Sequence, residues 1–452
     1  MKEYDIIIIG GGISGLYIAY KLLKQKIKKR VLLLEGSSKL GGRIYTYNSK
    51  SWNSPIEAGA GRFHKGHVRL FKLIKDLDLD KNIKSIGNAH LRHISQGVEI
   101  NQNVNTLVKR IITRAKNVPI EILRETNIIN FVKKREILTE EELTHLIGFY
   151  GYYSELDIMN AYDAIELFKN GTNPENDFFV MRGGGLSQIV REMENAIENS
   201  NLAEETPIRI LKNKSVLNVR RDGDGGGGDF TTPSAPQNFE IIVKCRDGTE
   251  YCCEKCILAM PKPCFEKFSI VRETAAENVD FYRSINSVVC SPLCRIYSYY
   301  DDTRNRWIKE QIHNKFNGKL TSDSVLRFII PVNDNIIMTS YTDNVFAKWW
   351  KKKYDKGGIA SINREVTMLL RELFNTKHIP VANKTQIFYW DCGVGYWKIG
   401  ANSKKAAETV LRGGGDVREN LFICGENYSE KYQQWIEGAI ETADNVLEIL
   451  HP

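Results

Sequence analysis

Apolar positions along this chain change period in a way that marks out its elements. Tyr4 to Ile9 is a short unbroken apolar run, the pattern of a strand buried on both faces. It ends at Gly10-Gly11-Gly12-Ile13-Ser14-Gly15, after which Leu16, Ala19, Tyr20 and Leu23 recur on one helical face. Arg30 to Leu34 forms a second strand, closed by Glu35. Further strand-like runs lie at Lys214 to Val219, Cys256 to Ala259, Leu293 to Tyr297, Arg327 to Pro331 and Leu421 to Cys424. Long helical patterns fill Val104 to Leu167, and a last helix carries Ile436, Ala439, Ile440, Ala443, Leu447 and Leu450 on one side. Strand and helix alternate at both ends, which predicts an α/β chain.

The first turn carries chemistry. Gly10, Gly12 and Gly15 fit G-x-G-x-x-G between a strand and a helix, and Glu35 follows Gly15 by twenty residues. Gly10 makes the tight turn, Gly12 admits a pyrophosphate, and Gly15 lets helix and strand pack. The helix start, with Ser14, faces the phosphates, and Glu35 takes the hydroxyl pair of a ribose that lacks a 2′-phosphate. A bound dinucleotide is expected. No second fingerprint exists, because Gly183-Gly184-Gly185 runs into Leu-Ser-Gln. A reductase that also uses NADPH is therefore disfavoured.

Composition narrows the class. The chain has 452 residues, 42% hydrophobic and 26% charged, enough for two or three globular domains. The net charge of +8 is spread out. Its basic clusters, Lys24 to Arg30 and Lys348 to Lys353, are short and show no interleaved aromatic pattern, so nucleic-acid binding is not expected. No apolar run approaches the roughly 18 residues of a membrane span, and a short charged lead passes straight into the first strand. A cytoplasmic protein without membrane contact is the expectation. Cys253-x-x-Cys256 lacks a second pair, so reduced thiols on a strand are expected there and no metal site. Arg221 to Pro236, RDGDGGGGDFTTPSAP, reads as a flexible hairpin tip.

Leu40-Gly41-Gly42-Arg43 follows Glu35 by five residues, and here the chain resembles the flavin-dependent amine oxidase family of monoamine, polyamine and L-amino acid oxidases. Two glycines expose amides there and Arg43 adds charge near a diphosphate. The resemblance runs along most of the chain in the family's order. Met181 to Leu186 looks like the Gly-Gly element before the second FAD segment, and Val216 matches the valine whose backbone holds adenine. Gly425 and Glu426 match the strand–Gly–Glu motif on the ribityl side. Trp435 and Ile436 open the helix whose positive end points at the flavin C2 carbonyl.

The resemblance implies a two-domain, discontinuous, doubly wound FAD-binding Rossmann-like fold with a mixed-sheet substrate domain and a helical insertion. The FAD-binding domain would take residues 1–62, 205–275 and 415–452, the substrate domain 63–103, 176–204 and 276–414, and the insertion 104–175. It also implies non-covalent FAD, because Gly395 precedes Tyr396 where covalent members carry cysteine. Cys392, three positions upstream of Gly395, leaves that point open.

The segment Glu57-Ala58-Gly59-Ala60-Gly61-Arg62-Phe63 runs past the flavin ring in relatives, and its small residues let backbone come close to something flat. With arginine at Arg62 it resembles the L-amino acid oxidase and tryptophan monooxygenase branch, which implies a bidentate grip on a substrate α-carboxylate. An ion pair with Glu57 and a contact to FAD phosphate stay open as alternatives. His64 and His67 read as structural. Trp390, Tyr396 and Trp435 match aromatic walls beside the flavin, with core packing as the alternative for each. Arg295 stands where the family places a lysine water-bridged to flavin N5, and arginine there cannot shed its proton. That puts reoxidation by oxygen in question. An isoleucine falls where the branch has a carboxylate-binding tyrosine, so Tyr341 is the candidate substitute.

The implied activity is FAD-dependent oxidation of an L-amino acid by hydride transfer to flavin N5. The products are an imino acid, then a keto acid, ammonia and hydrogen peroxide. The alternative is a monoamine or polyamine oxidase acting on an amine without a carboxylate, and a third reading is a flavin-bearing interaction protein with decayed chemistry. Partners are then a small amine or amino acid and oxygen, with a homodimer left open.

Overall fold

Ile6, Ile7, Ile8 and Ile9 are at most 2% exposed because their strand, Lys2–Ile9, runs through the middle of a seven-stranded sheet. It pairs in parallel with Val31–Leu34 on one side and Glu250–Leu258 on the other. Ile208–Leu211 extends the sheet in parallel beyond Val31–Leu34, and Leu421–Ile423 pairs in parallel with the end of Glu250–Leu258. Only Ile241–Cys245 and Val216–Arg221 run antiparallel. The structure, a computed structural model, describes residues 1–52, 54–87, 91–171, 177–202, 208–222, 240–301, 306–314, 318–415 and 420–450. The expected hairpin tip at 221–236 lies almost wholly outside the described residues.

Helices cover both faces, as a parallel sheet requires. Ile13–Lys24, Ser187–Leu202 and Ile436–Leu450 share one core, with Leu16, Ile189, Met193, Ile440 and Ala443 all buried. The other face takes Phe265, Phe268, Phe281 and Val410. The helices Ser187–Leu202 and Ser403–Leu411, drawn above into substrate segments, therefore pack on the sheet with the glycine turn.

A second seven-stranded sheet is mixed. Its order is Lys384–Trp397, Val288–Tyr299, Ile336–Asp343, Phe328–Pro331, Leu320–Ser322, Arg92–Ser95, Val98–Ile100. Helices from Val104–Ala115 to Ala161–Gly171 form a separate cluster around Leu107, Ile111, Phe131 and Leu146, closed by Val394 and Tyr396. Cys253 and Cys256 are buried and free, whereas Cys290 and Cys392 are joined as a disulfide between two paired strands. Among the described residues, no helix is long and apolar enough to cross a membrane.

Candidate active site

The glycine turn is built as its spacing requires. Gly10 has φ +112°, and a β-carbon there would lie 2.4 Å from the Ala259 carbonyl oxygen; one on Gly15 would lie 2.1 Å from that of Gly10. Gly12 differs, since a β-carbon added to it meets no atom within 4 Å. The backbone is bare at that point. Gly12 also caps the helix that follows, and no side chain bonds its first amides, so those donors are left for an anion.

The Glu35 carboxylate accepts from Gly11 N at 2.8 Å and Ser37 N at 2.7 Å, which fixes it beside the turn. Val216 begins a strand next to this loop, because Lys214 N donates to Glu35 O at 2.8 Å. Gly42, at φ +56°, sits against Gly12. These residues form one cradle that fits a dinucleotide.

Arg43 lies at the other end of it. Its Nη1 donates to Gly393 O at 3.0 Å and pairs with Glu426, which also accepts from Gln434 N at 2.8 Å. The charge placed near the diphosphate by sequence is thus tied to the Gly425-Glu426 turn. Gly425, at φ +137°, donates from N to Thr442 Oγ1 at 2.9 Å, which joins the turn to the last helix. Ser14 and Ile436 are buried at the starts of their helices.

The 57–62 segment threads between both halves. Gly59 fits only as glycine, since a β-carbon would lie 1.9 Å from Arg43 O, and Ala60 N donates to that oxygen at 2.9 Å. Beside Gly61 stands Arg295, whose Nη1 donates to Glu57 O at 2.8 Å. Its guanidinium lies 4.4 Å from the Tyr341 ring centroid. Burial opposes the Arg295 charge, but Tyr341 and Tyr297 more than offset this and raise its pKa. Tyr341 in turn meets Tyr152, with ring centroids 5.5 Å apart. Trp390 Nε1 donates to Ala58 O at 2.9 Å, so this tryptophan is fixed to the same segment.

Arg62 does not pair with Glu57, the protein partner considered from the sequence. Glu57 is engaged elsewhere, accepting from Leu186 N and Thr46 Oγ1, each at 2.8 Å. Burial pushes the Glu57 carboxyl up to about 7 against those bonds and the nearby Arg295 charge. The Arg62 guanidinium instead lies over the Phe178 ring, 4.5 Å from its centroid. That ring is near-parallel to Trp435, at 6.4 Å and 27°. His64 and His67 lie 3.7 Å apart against Trp435, and burial lowers both, His64 to about 4 with help from the Arg62 charge.

The structure therefore gathers Arg62, Arg295, Tyr341, Trp390 and Trp435 around one stretch of backbone. Tyr396 closes the insertion core beside these residues: burial pushes its hydroxyl well up, and Asp343, Glu155, Tyr341 and Tyr152 nearby add to this. It is 1% exposed in the cluster of the helical insertion, and no ring contact joins it to Trp435 among the described residues. Sequence reasoning did not find Phe178, Tyr152, Glu155 or Lys319. Their signal is weak, because each depends on a strand or loop brought in from elsewhere in the chain.

Comparison with known proteins agrees with this arrangement. A sequence model described as flavin containing amine oxidoreductase matches residues 13–446. Protein R188 of Acanthamoeba polyphaga mimivirus is 26% identical, covering 98% of this chain and 93% of its own. Aplysianin-A of Aplysia kurodai is 21% identical over 99% and 90% of the two chains. A putrescine oxidase redesigned in its cofactor binding shares the fold, with a TM-score of 0.71, 13% identity and full coverage of both chains.

Proposed function

Because this chain belongs to the flavin-containing amine oxidoreductase family, we propose, from its site, that it oxidises the Cα–N bond of an L-amino acid. Its cofactor is FAD, which when bound supplies a two-electron acceptor for the substrate hydride. Gly10, Gly12, Gly15, Glu35 and Val216 would hold the adenosine diphosphate side, and Arg43, Gly425, Glu426 and Ile436 the flavin side. Gly395 before Tyr396, and Cys392 taken up in a disulfide, support non-covalent attachment.

One observation carries the substrate reading. The Arg62 guanidinium lies over Phe178 with no carboxylate partner among the described residues. A planar fork left in that state is suited to a ligand carboxylate, and two parallel bonds would fix both position and orientation of Cα. Trp435 and Phe178 exclude water beside it. Arg295 keeps its proton, so it orients and stabilises by charge rather than by acid–base exchange. The amine reacts in its neutral form, and the imino acid released from the site hydrolyses in water to a keto acid and ammonia. Oxygen is the proposed terminal acceptor, giving hydrogen peroxide.

The test is anaerobic bleaching of the bound flavin's visible absorbance. Purified protein is mixed with a panel of L-amino acids and with the amines made by decarboxylating them. Bleaching by the acids alone is expected. Bleaching by the amines alone would return Arg62 to the scaffold and make the protein a monoamine or polyamine oxidase.

A further inference from the structure

Arg62 is not the only basic group on the Phe178 ring. Lys319 Nζ lies 5.3 Å from the same centroid. Lys319 directly precedes Leu320–Ser322, an inner strand of the mixed sheet, and its carbonyl is held by Arg92 N at 3.2 Å. Its side chain makes no hydrogen bond or ion pair among the described residues. Glu155 is an acid that feels the Arg62 charge, and its burial disfavours the ionised form. Burial pushes its carboxyl up to about 8, and it accepts a hydrogen bond from Tyr150.

We propose that Lys319 is a second anion-binding residue of the substrate site, and that the substrate is an amino acid carrying a carboxylate on its side chain. The proposal rests on the reading of Arg62 given above. Two basic groups converge on one aromatic ring, neither held in an ion pair among the described residues, and a monocarboxylate can neutralise one of them only. Their separation is less than the sum of the two distances to the shared centroid. A four- or five-carbon dicarboxylate with a charge-assisted bond of about 2.8 Å at each end spans such a gap. Cation and ring both gain where their contact is desolvated.

The electrostatics point the same way. Burial first, and Arg62 second, lower the Lys319 amine to about 6. The site is short of negative charge, and a carboxylate seated on Lys319 and Arg62 removes that deficit and lets the amine hold its proton.

The experiment is isothermal titration of the FAD-loaded protein with glutarate and with valerate, two five-carbon chains differing in one carboxylate. Glutarate is expected to bind at least tenfold more tightly. Lys319→Gln should bring the two affinities together, and Lys319→Arg should keep them apart. Equal binding by the unmodified protein, or a preference that survives Lys319→Gln, overturns the proposal. Valerate also separates this inference from the one beneath it. If Arg62→Met leaves valerate binding unchanged, the Arg62 reading itself has failed. If valerate needs Arg62 but glutarate binds no better, only the role of Lys319 is lost.

Discussion

Gly61 faces the Arg295 guanidinium so closely that a β-carbon added to it would lie 3.1 Å from Nη1. Arg295 has little freedom to retreat, being bonded to Glu57 O and laid against Tyr341. Gly61→Ala should therefore displace the guanidinium by a few tenths of an ångström while the fold stays intact. Anaerobic flavin reduction is expected to slow about tenfold, or ~1.4 kcal/mol in barrier. Stopped-flow bleaching, with a melting curve as control, checks this.

Arg62→Met removes the fork but keeps most of the side-chain length over Phe178. Losing a bidentate charge-assisted pair is worth about 2–3 kcal/mol, so the apparent Kd for an amino acid should rise on the order of 100-fold. FAD content should not change. A loss of flavin instead would place Arg62 on the cofactor.

The glycine turn offers a contrast within six residues. Gly12→Ala puts its methyl into open space, so the chain should fold with unchanged stability yet bind FAD more weakly by about tenfold or more. Gly15→Ala meets the Gly10 carbonyl at 2.1 Å, and should cost about 3 kcal/mol of stability through a shifted backbone. Flavin absorbance per protein and denaturant melts of the apoproteins separate the two effects.

Glu155 makes a prediction about pH. Its carboxyl keeps a proton up to about 8 in the fold, but ionises from the ordinary glutamate value of 4.5 when the chain unfolds. Between those values the native state binds more protons, so this group's contribution is present below 4.5 and is lost as pH rises towards 8. Glu155→Gln escapes that loss. Urea melts at pH 5 and pH 8 should show the variant gaining on the parent by on the order of 3 kcal/mol as pH rises. A constant gap between the two proteins would contradict the shifted carboxyl.

Arg327 is 1% exposed, and its guanidinium donates to Ile147 O at 2.8 Å and Gly148 O at 2.6 Å. These carbonyls end the helix Glu140–Phe149, which has no following turn to satisfy them. Arg327→Met should leave them buried and unpaired at a cost of roughly 3 kcal/mol. Denaturant unfolding gives that number directly.

How much of this could be read from the sequence depended on distance along the chain. The nucleotide end was legible because its turn, helix, strand and acid all fall within Lys2 to Arg43, and each position needs its residue for a local reason. The C-terminal helix was legible by its period. Lys319 and Arg327 carried no such mark: each acts on a partner brought near by the mixed sheet, and nothing in Gly318-Lys319-Leu320 or Leu326-Arg327-Phe328 announces it. The Cys290–Cys392 pair spans 102 positions and is invisible to spacing for the same reason. Tyr396 lies between these cases. Its place in the order marked it as a candidate wall, whereas its packing in the insertion core, within the field of Tyr341 and Tyr152, could be seen only in three dimensions.

The edge strand Lys384–Trp397 reaches four separate parts of the molecule within eight residues. Trp390 holds the 57–62 segment, Cys392 is bonded to the neighbouring strand, Gly393 receives Arg43, and Trp397 accepts from Asn160 N at 3.0 Å at the insertion. The strand's pairing with Val288–Tyr299 slips just here, with Leu293 opposite Trp390 but Ser291 opposite Val394, so the residues between Trp390 and Val394 bulge out of the ladder. That bulge, and not an even pleat, brings Cys392 to its disulfide partner and Gly393 to Arg43. A change of strand length at the bulge would therefore part the disulfide, the Arg43 contact and the Trp390 anchor from one another in a single step.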